Sequence, residues 1–106
     1  MKKRIKSIAV IVLLTLAFAS CKKDSNPVAC FTVDKTTINA GETINFNANC
    51  STDTFHWEWD FGDGANGEGT TLSHTYNNAG TYTVMLAAHN EDMTMMDDAM
   101  QTITVN

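Results

Sequence analysis

The stretch from Phe55 to Gly64 constrains this chain more than any other. Phe55, Trp57, Trp59 and Phe61 take alternate positions, with His56, Glu58 and Asp60 between them. Strict alternation of apolar and polar side chains belongs to a strand with one face in a core and the other in water. Asp63-Gly64 then turns the chain, because a tight hairpin demands positive φ and glycine adopts it cheaply. Rings of this size each bury a large area, so all four are expected to point inward and supply the largest single block of the core.

The N-terminus has a different character. Lys2, Lys3, Arg4 and Lys6 precede an apolar run from Ile8 to Phe18, followed by Ala19-Ser20-Cys21. A basic segment, a short apolar segment and small residues before a cut make a secretory signal over residues 1–20. The apolar run is too short to span a bilayer as a stable helix. Cys21 stands where the lipidated cysteine of a bacterial lipoprotein belongs. The segment resembles the lipobox of that class, with Phe18 where leucine is usual; the alternative is an ordinary signal peptide beside an incidental cysteine. Palmitate-type acylation of Cys21 would anchor the mature chain, and residues 21–27, with the only proline, Pro27, read as a tether. Six residues reach about 20 Å at full stretch, so the domain over residues 28–106 would work close to its membrane. Lys22 is not the aspartate associated with inner-membrane retention. The expected location is therefore the outer membrane and its surface, with a soluble periplasmic protein as the alternative.

Cleavage before Cys21 would leave Lys22, Lys23 and Lys35 against all twelve acids, a formal charge of −9. Nucleic acid and anionic bilayers repel such a surface. Neutral glycans, cationic proteins and metal ions are compatible partners. A domain this small has a marginal core and benefits from a staple.

Ala29, Phe31 and Val33 alternate, as do Ile44, Phe46 and Ala48, with Asn39-Ala40-Gly41 between them as turn chemistry. This predicts an antiparallel pair, or a pair with a small switch between sheets. With Cys21 assigned to lipidation, Cys30 and Cys50 remain as an even pair in an oxidising compartment. Reflection about residue 40 sets them opposite each other, and a bridge there is worth about 3 kcal/mol in the chain-entropy model. Parity opposes it: Cys50 shares the side of Phe46, whereas Cys30 lies opposite to Phe31, so a bulge or twist is required. The alternative is two separate thiols. Ala65 to Thr71 suits a loop and a short edge strand, and Leu72 to Tyr76 leads into the turn Asn77-Asn78-Ala79-Gly80. Tyr82, Val84, Leu86 and Ala88 alternate cleanly, and Ile103 and Val105 mark the last strand.

Trp59-Asp60-Phe61-Gly62-Asp63-Gly64 resembles the WDFGDG signature of the PKD (polycystic kidney disease) domain family. His74-Thr75-Tyr76 and the run from Gly80 through Tyr82 and Val84 to Leu86 resemble its HxY and GxYxVxL segments, in order. The resemblance extends from Val28 to Val105. It implies an all-β, immunoglobulin-like sandwich of about seven strands outside the cytoplasm. The family's modules are usually non-catalytic and bind protein or glycan. For His74 it implies a structural hydrogen bond. For Tyr76 it implies the tyrosine of a sandwich corner, its hydroxyl tied back to nearby backbone. Fold alone does not name a ligand.

Candidate chemistry is sparse. Asp60 and Asp63 flank one turn rather than a cleft, so a glycosidase pair is not expected, and Asp63 is what such a turn recruits anyway. Some PKD-like modules hold Ca²⁺, yet no loop with spaced oxygen ligands is present, and no cofactor is expected. Neither a serine–histidine–acid set nor a Cys/His zinc spacing occurs. Gly62, Gly64, Gly67 and Gly69 lack the lysine and helix of a phosphate loop. Met85, Met93, Met95, Met96 and Met100 lie near His89, a set of soft ligands for Cu(I), but methionine more often fills gaps and supplies adaptable surface. A hairpin centred between Asp92 and Met93 sets Met85 against Met100. If Tyr82, Val84, Leu86, Ile103 and Val105 point inward, both methionines point outward. His56, Glu58, Met85, His89 and Met100 then share the outer face of one sheet with the Trp strand. Apolar side chains rimmed by polar ones mark binding surfaces, so this face is the candidate docking site, with a merely solvated face as the alternative.

Overall fold

The structure is a computed structural model in which residues 25–106 are described. The signal segment and Cys21 lie outside the described residues. Eight strands follow in chain order: β1 (Thr32–Val33), β2 (Thr37–Ile38), β3 (Thr43–Asn47), β4 (His56–Asp60), β5 (Asn66–Glu68), β6 (Thr71–Thr75), β7 (Gly80–His89) and β8 (Met96–Val105). They form two sheets, β1-β3-β6 and β2-β8-β7-β4-β5. The fold is all-β and sandwich-like, with one strand more than expected because two of the eight are only two residues long.

The first pair of alternating runs resolves into both of its anticipated parts. β1 runs antiparallel to β3, with Val33 opposite Phe46. The chain then switches sheets, and β2 lies parallel to β8, with Ile38 beside Val105. On β3 the inward Ile44 and Phe46 are buried while Thr43, Asn45 and Asn47 face water. On β7 and β8, Val84, Leu86, Ile103 and Val105 supply the opposing layer.

Trp59 is the hub of the core. Its ring meets Phe31, just before β1, edge-on at 5.1 Å and Phe46 of β3 at 5.5 Å. Such tilted contacts suit the quadrupole of aromatic rings. Its indole N–H donates to the Gly69 carbonyl at 2.8 Å, so the one polar atom of a buried side chain is satisfied. Phe61 packs on Phe46 at 5.2 Å although the strand has already ended at Asp60.

The row of inward rings is shorter than the alternation implies. Phe55 is 56% exposed and Trp57 is only half-buried, whereas Trp59 and Phe61 are enclosed. Alternation states which side a residue is on, not how far the opposite layer extends. Rings of the three-stranded sheet meet Trp59 and Phe61, and among the described residues none covers Phe55. That residue still joins the ladder through its backbone, donating to the His89 carbonyl at 2.8 Å.

Two further expectations are corrected. The Tyr76 hydroxyl does not bind nearby backbone; it donates at 2.8 Å to the Phe61 carbonyl, fifteen residues away, and so ties β6 to the turn after β4. The local corner bond belongs to Tyr82 at the start of β7, whose hydroxyl donates to the Asn78 carbonyl at 2.8 Å. The Asp63 turn is also longer than a two-residue hairpin: Phe61 N–H bonds the Ala65 carbonyl across it, with Gly62 and Gly64 both at positive φ.

Cys30 and Cys50 are bridged, with Cα atoms 5.3 Å apart. The parity conflict lapses because β3 ends at Asn47 and the chain turns before Cys50. Asn49 N–H donates to Asn47 Oδ1, and Ser51 N–H to the Ala48 carbonyl. Ser51 then exchanges two hydrogen bonds with the backbone of Cys30, fixing the bridge from the other side.

Candidate binding surface

The outer face of the five-stranded sheet is set by register. β4 pairs antiparallel with β7, placing His56 opposite His89, Glu58 opposite Ala87 and Asp60 opposite Met85. β7 pairs with β8 along its whole length, placing Met85 opposite Met100, Ala87 opposite Asp98 and His89 opposite Met96. β5 adds Glu68 beside Glu58 and Asn66 beside Asp60. His56, Glu58, Met85, His89 and Met100 are therefore brought onto one face. Asp60, Glu68, Met96 and Asp98 join them, a set that sequence reasoning left out. The parity of Met96 and Asp98 with Met100, and of Asp60 with Glu58, would have found three of these; Glu68 needed the β4–β5 register, which no local pattern carries.

This face is layered in chemistry. Met96 and Met100 on β8 are 56% and 63% exposed, and Met85 is half-buried beside them. Ala87 lies low in the middle, leaving a shallow groove bounded by Glu58, Asp60, Asn66, Glu68 and Met85. His89 Nε2 donates to Glu58 Oε1 at 2.9 Å, and His56 Nε2 to the Glu91 carbonyl at 3.3 Å. His89 Nδ1 is enclosed with no hydrogen-bond partner among the described residues. The only Lys or Arg among the described residues is Lys35, which precedes β2, so the face holds carboxylates and no fixed positive charge.

The other sheet presents a polar outer surface. Asn45 donates from its backbone and side chain to the two carboxylate oxygens of Asp34, at 2.9 and 2.8 Å. Ser73 donates to Asn45 Oδ1 at 2.6 Å, and the Thr43 and Thr75 hydroxyls meet at 2.7 Å. These five side chains serve one another, beside a shallow groove also lined by Thr32, Asn47 and Thr71.

The acid-and-glycine turn is occupied by its own architecture. Asp60 Oδ1 accepts from Gly62 N–H at 2.9 Å, and Asp63 Oδ1 from Ala65 N–H at 3.1 Å. Asp63 Oδ2 takes His74 Nε2 at 2.7 Å. Partial burial raises the Asp63 pKa, but the hydrogen bonds from His74 and Ala65 outweigh it and hold the carboxyl below the usual carboxylate range. Burial pushes the Tyr76 phenol well above its ordinary value, helped by the nearby Asp63 charge. Among the described residues, no three His, Cys, Asp or Glu side chains converge so as to hold a metal. Gly80, Tyr82 and Val84 likewise serve the start of β7, with the Tyr82 ring 4.7 Å from that of Tyr76.

Comparison with known proteins decides the family. The PKD domain profile matches residues 24–105. The chain belongs to the PKD domain family. Among solved structures, a carbohydrate-binding module of the β-sandwich superfamily superposes with a TM-score of 0.72 at 31% identity, covering 80% of this chain and 36% of that one. The chain thus spans about a third of that relative. The PKD1 domain of the Vibrio cholerae metalloprotease PrtV gives 0.64 at 27% identity, covering 77% and 99%. The PKD1 domain of Vibrio anguillarum Epp gives 0.64 at 25%, covering 79% and 98%. Comparison with curated proteins finds no significant match. These likenesses are to a carbohydrate-binding module and to PKD domains, and they support a non-enzymatic module.

Proposed function

We propose that this chain is a lipid-anchored PKD domain of the cell envelope, of immunoglobulin-like type, that binds a protein or glycan partner without catalysis. Residues 1–20 act as the signal, Cys21 carries the acyl chains, residues 21–27 form the tether and residues 28–106 form the domain, held on the outer membrane and facing outward. The Cys30–Cys50 bridge supports an oxidising compartment. The observation that carries the binding role is the outer face of the five-stranded sheet, where Met85, Met96 and Met100 stand beside Glu58, His56 and His89. The likeness to a carbohydrate-binding module supports a glycan among the partners, and the methionines, which adapt to varied apolar shapes, support a protein.

Two experiments test this. Labelled palmitate should enter the wild type and not Cys21→Ser, and protease shaving of intact cells should remove the domain. Pull-down from the organism's own envelope should lose its partner when Met85 and Met100 are replaced by Ser or Lys; unchanged capture would remove this face from contention. A second reading, a structural accessory subunit of an envelope complex, is favoured by one feature: β8 leaves most of its outer edge unpaired among the described residues.

A further inference from the structure

β8 is ten residues long and pairs with β7 throughout, but its other side meets β2 only at Thr104 and Val105. On that side Thr104 N–H donates to the Thr36 carbonyl, and Asn106 N–H to the Ile38 carbonyl. Backbone direction alternates along a strand, so the N–H and C=O groups of Thr102, Met100, Asp98 and Met96 point to the same edge. Among the described residues none of these backbone groups on that edge has a hydrogen-bond partner. The open stretch from Met96 to Thr102 is about 20 Å long at strand spacing. No proline, lysine or arginine interrupts it, and its charge is all negative, from Asp97 and Asp98; acidic residues of this kind guard an edge against its own copies and leave it open to a basic strand.

We infer that this edge accepts an extended segment of a protein partner as a further strand, and that the segment reads apolar–x–Lys/Arg–x–apolar. The proposal rests on the reading of the chain as a binding module and names the partner's chemistry. Free donors and acceptors repeating at strand spacing match an extended backbone. The side chains standing beside such a strand on the outer face are Met96, Asp98 and Met100, two exposed thioethers bracketing a carboxylate. Cross-strand neighbours of opposite charge attract and like charges repel, so the residue facing Asp98 is basic, and those facing the methionines are apolar. The motif reads alike in both strand directions. Charge disfavours the simplest alternative: a second copy would bring eleven side-chain carboxylates and one lysine over residues 25–106 to the same edge.

The full chain, labelled with ¹⁵N and held in detergent, is titrated with the capped peptide Ser-Leu-Thr-Lys-Thr-Leu-Ser. It is also titrated with the same peptide bearing Glu for Lys, and with a form whose edge-facing amides are N-methylated. Binding should protect the Asp98, Met100 and Thr102 amides from exchange. The Lys peptide should bind about tenfold more tightly than the Glu peptide, and N-methylation should abolish binding. Asp98→Lys, an exposed position that leaves the core untouched, should reverse the preference. Unaltered exchange at those three amides, equal affinity for the two peptides, or dimerisation through β8 would each overturn the inference. Envelope capture by the wild-type chain is measured alongside. Capture that persists in Asp98→Lys overturns the edge and leaves the module reading intact, whereas a wild type that captures nothing removes both.

Discussion

His74 is held on three sides. Its ring stacks on Phe61 at 4.2 Å with planes 4° apart, and it meets Tyr76 edge-on at 4.6 Å. Its Nε2 completes the set on Asp63, so one imidazole joins the turn after β4 to a strand of the opposite sheet. Because the folded pKa of Asp63 lies below its unfolded value, this contact stabilises the fold above the unfolded pKa, about 3.9, and is lost as pH falls through the folded one. Asp63→Asn keeps an acceptor for Ala65 N–H but removes the charge. It should cost about 1–2 kcal/mol at pH 7, and the difference from wild type should shrink when melting is followed down to pH 2. A constant difference across that range would show that charge is not what His74 uses. At this scale the sequence pattern was legible in kind and not in partner. A backbone tie was implied for Tyr76 by the corner it resembles, whereas Tyr82 reads from the sequence only as an inward ring. Which carbonyl each one takes depends on the sheet-to-sheet spacing, which no local pattern records.

The turn and the bridge show what elements add. Gly62 sits at φ +84°, and a Cβ placed there would lie 2.6 Å from the Thr83 carbonyl oxygen on β7. Both strain and backbone collision oppose any side chain, so Gly62→Ala should cost about 2 kcal/mol or more and lower the urea midpoint accordingly. Gly64 has nothing within 4 Å of the same position, so Gly64→Ala meets only the φ penalty and should cost less. The disulfide spans 20 residues and fastens the segment before β1 to the turn after β3. Replacing both Cys30 and Cys50 by Ser should lose about 3 kcal/mol, read as an equal loss upon reduction of the wild type. The strands themselves were legible wherever apolar residues alternate, and the β7–β8 register followed from the hairpin centre alone. The reach of the core was not. Phe55 and Trp59 carry the same local signal, yet only Trp59 lies beneath Phe31 and Phe46. The two thiols show the converse, since a parity rule stops applying once the strand ends and Cys50 is free to turn back.

Across the whole molecule, charge sets the terms. The described residues hold one lysine and eleven carboxylates, and two of the latter, Glu58 and Glu68, are direct cross-strand neighbours on an exposed face. Like charges in that position destabilise a sheet by about 0.2–1 kcal/mol, so this arrangement weakens the fold it belongs to. Glu68→Lys should therefore stabilise the protein. A gain near 0.5 kcal/mol corresponds to roughly 2–4 °C in Tm for a domain of this size. The increment should contract in 1 M NaCl, where the Debye length falls to about 3 Å, and Glu68→Gln should give about half of it. Wild-type Tm should itself rise with salt as self-repulsion is screened. A lower Tm for Glu68→Lys would mean that Glu68 has a favourable contact on β5 and that the acidic face is a structural requirement. A higher one means that the carboxylates beside Met85 and Ala87 stand at a cost to stability, which is the condition expected of a surface shaped for a cationic partner rather than for the fold alone.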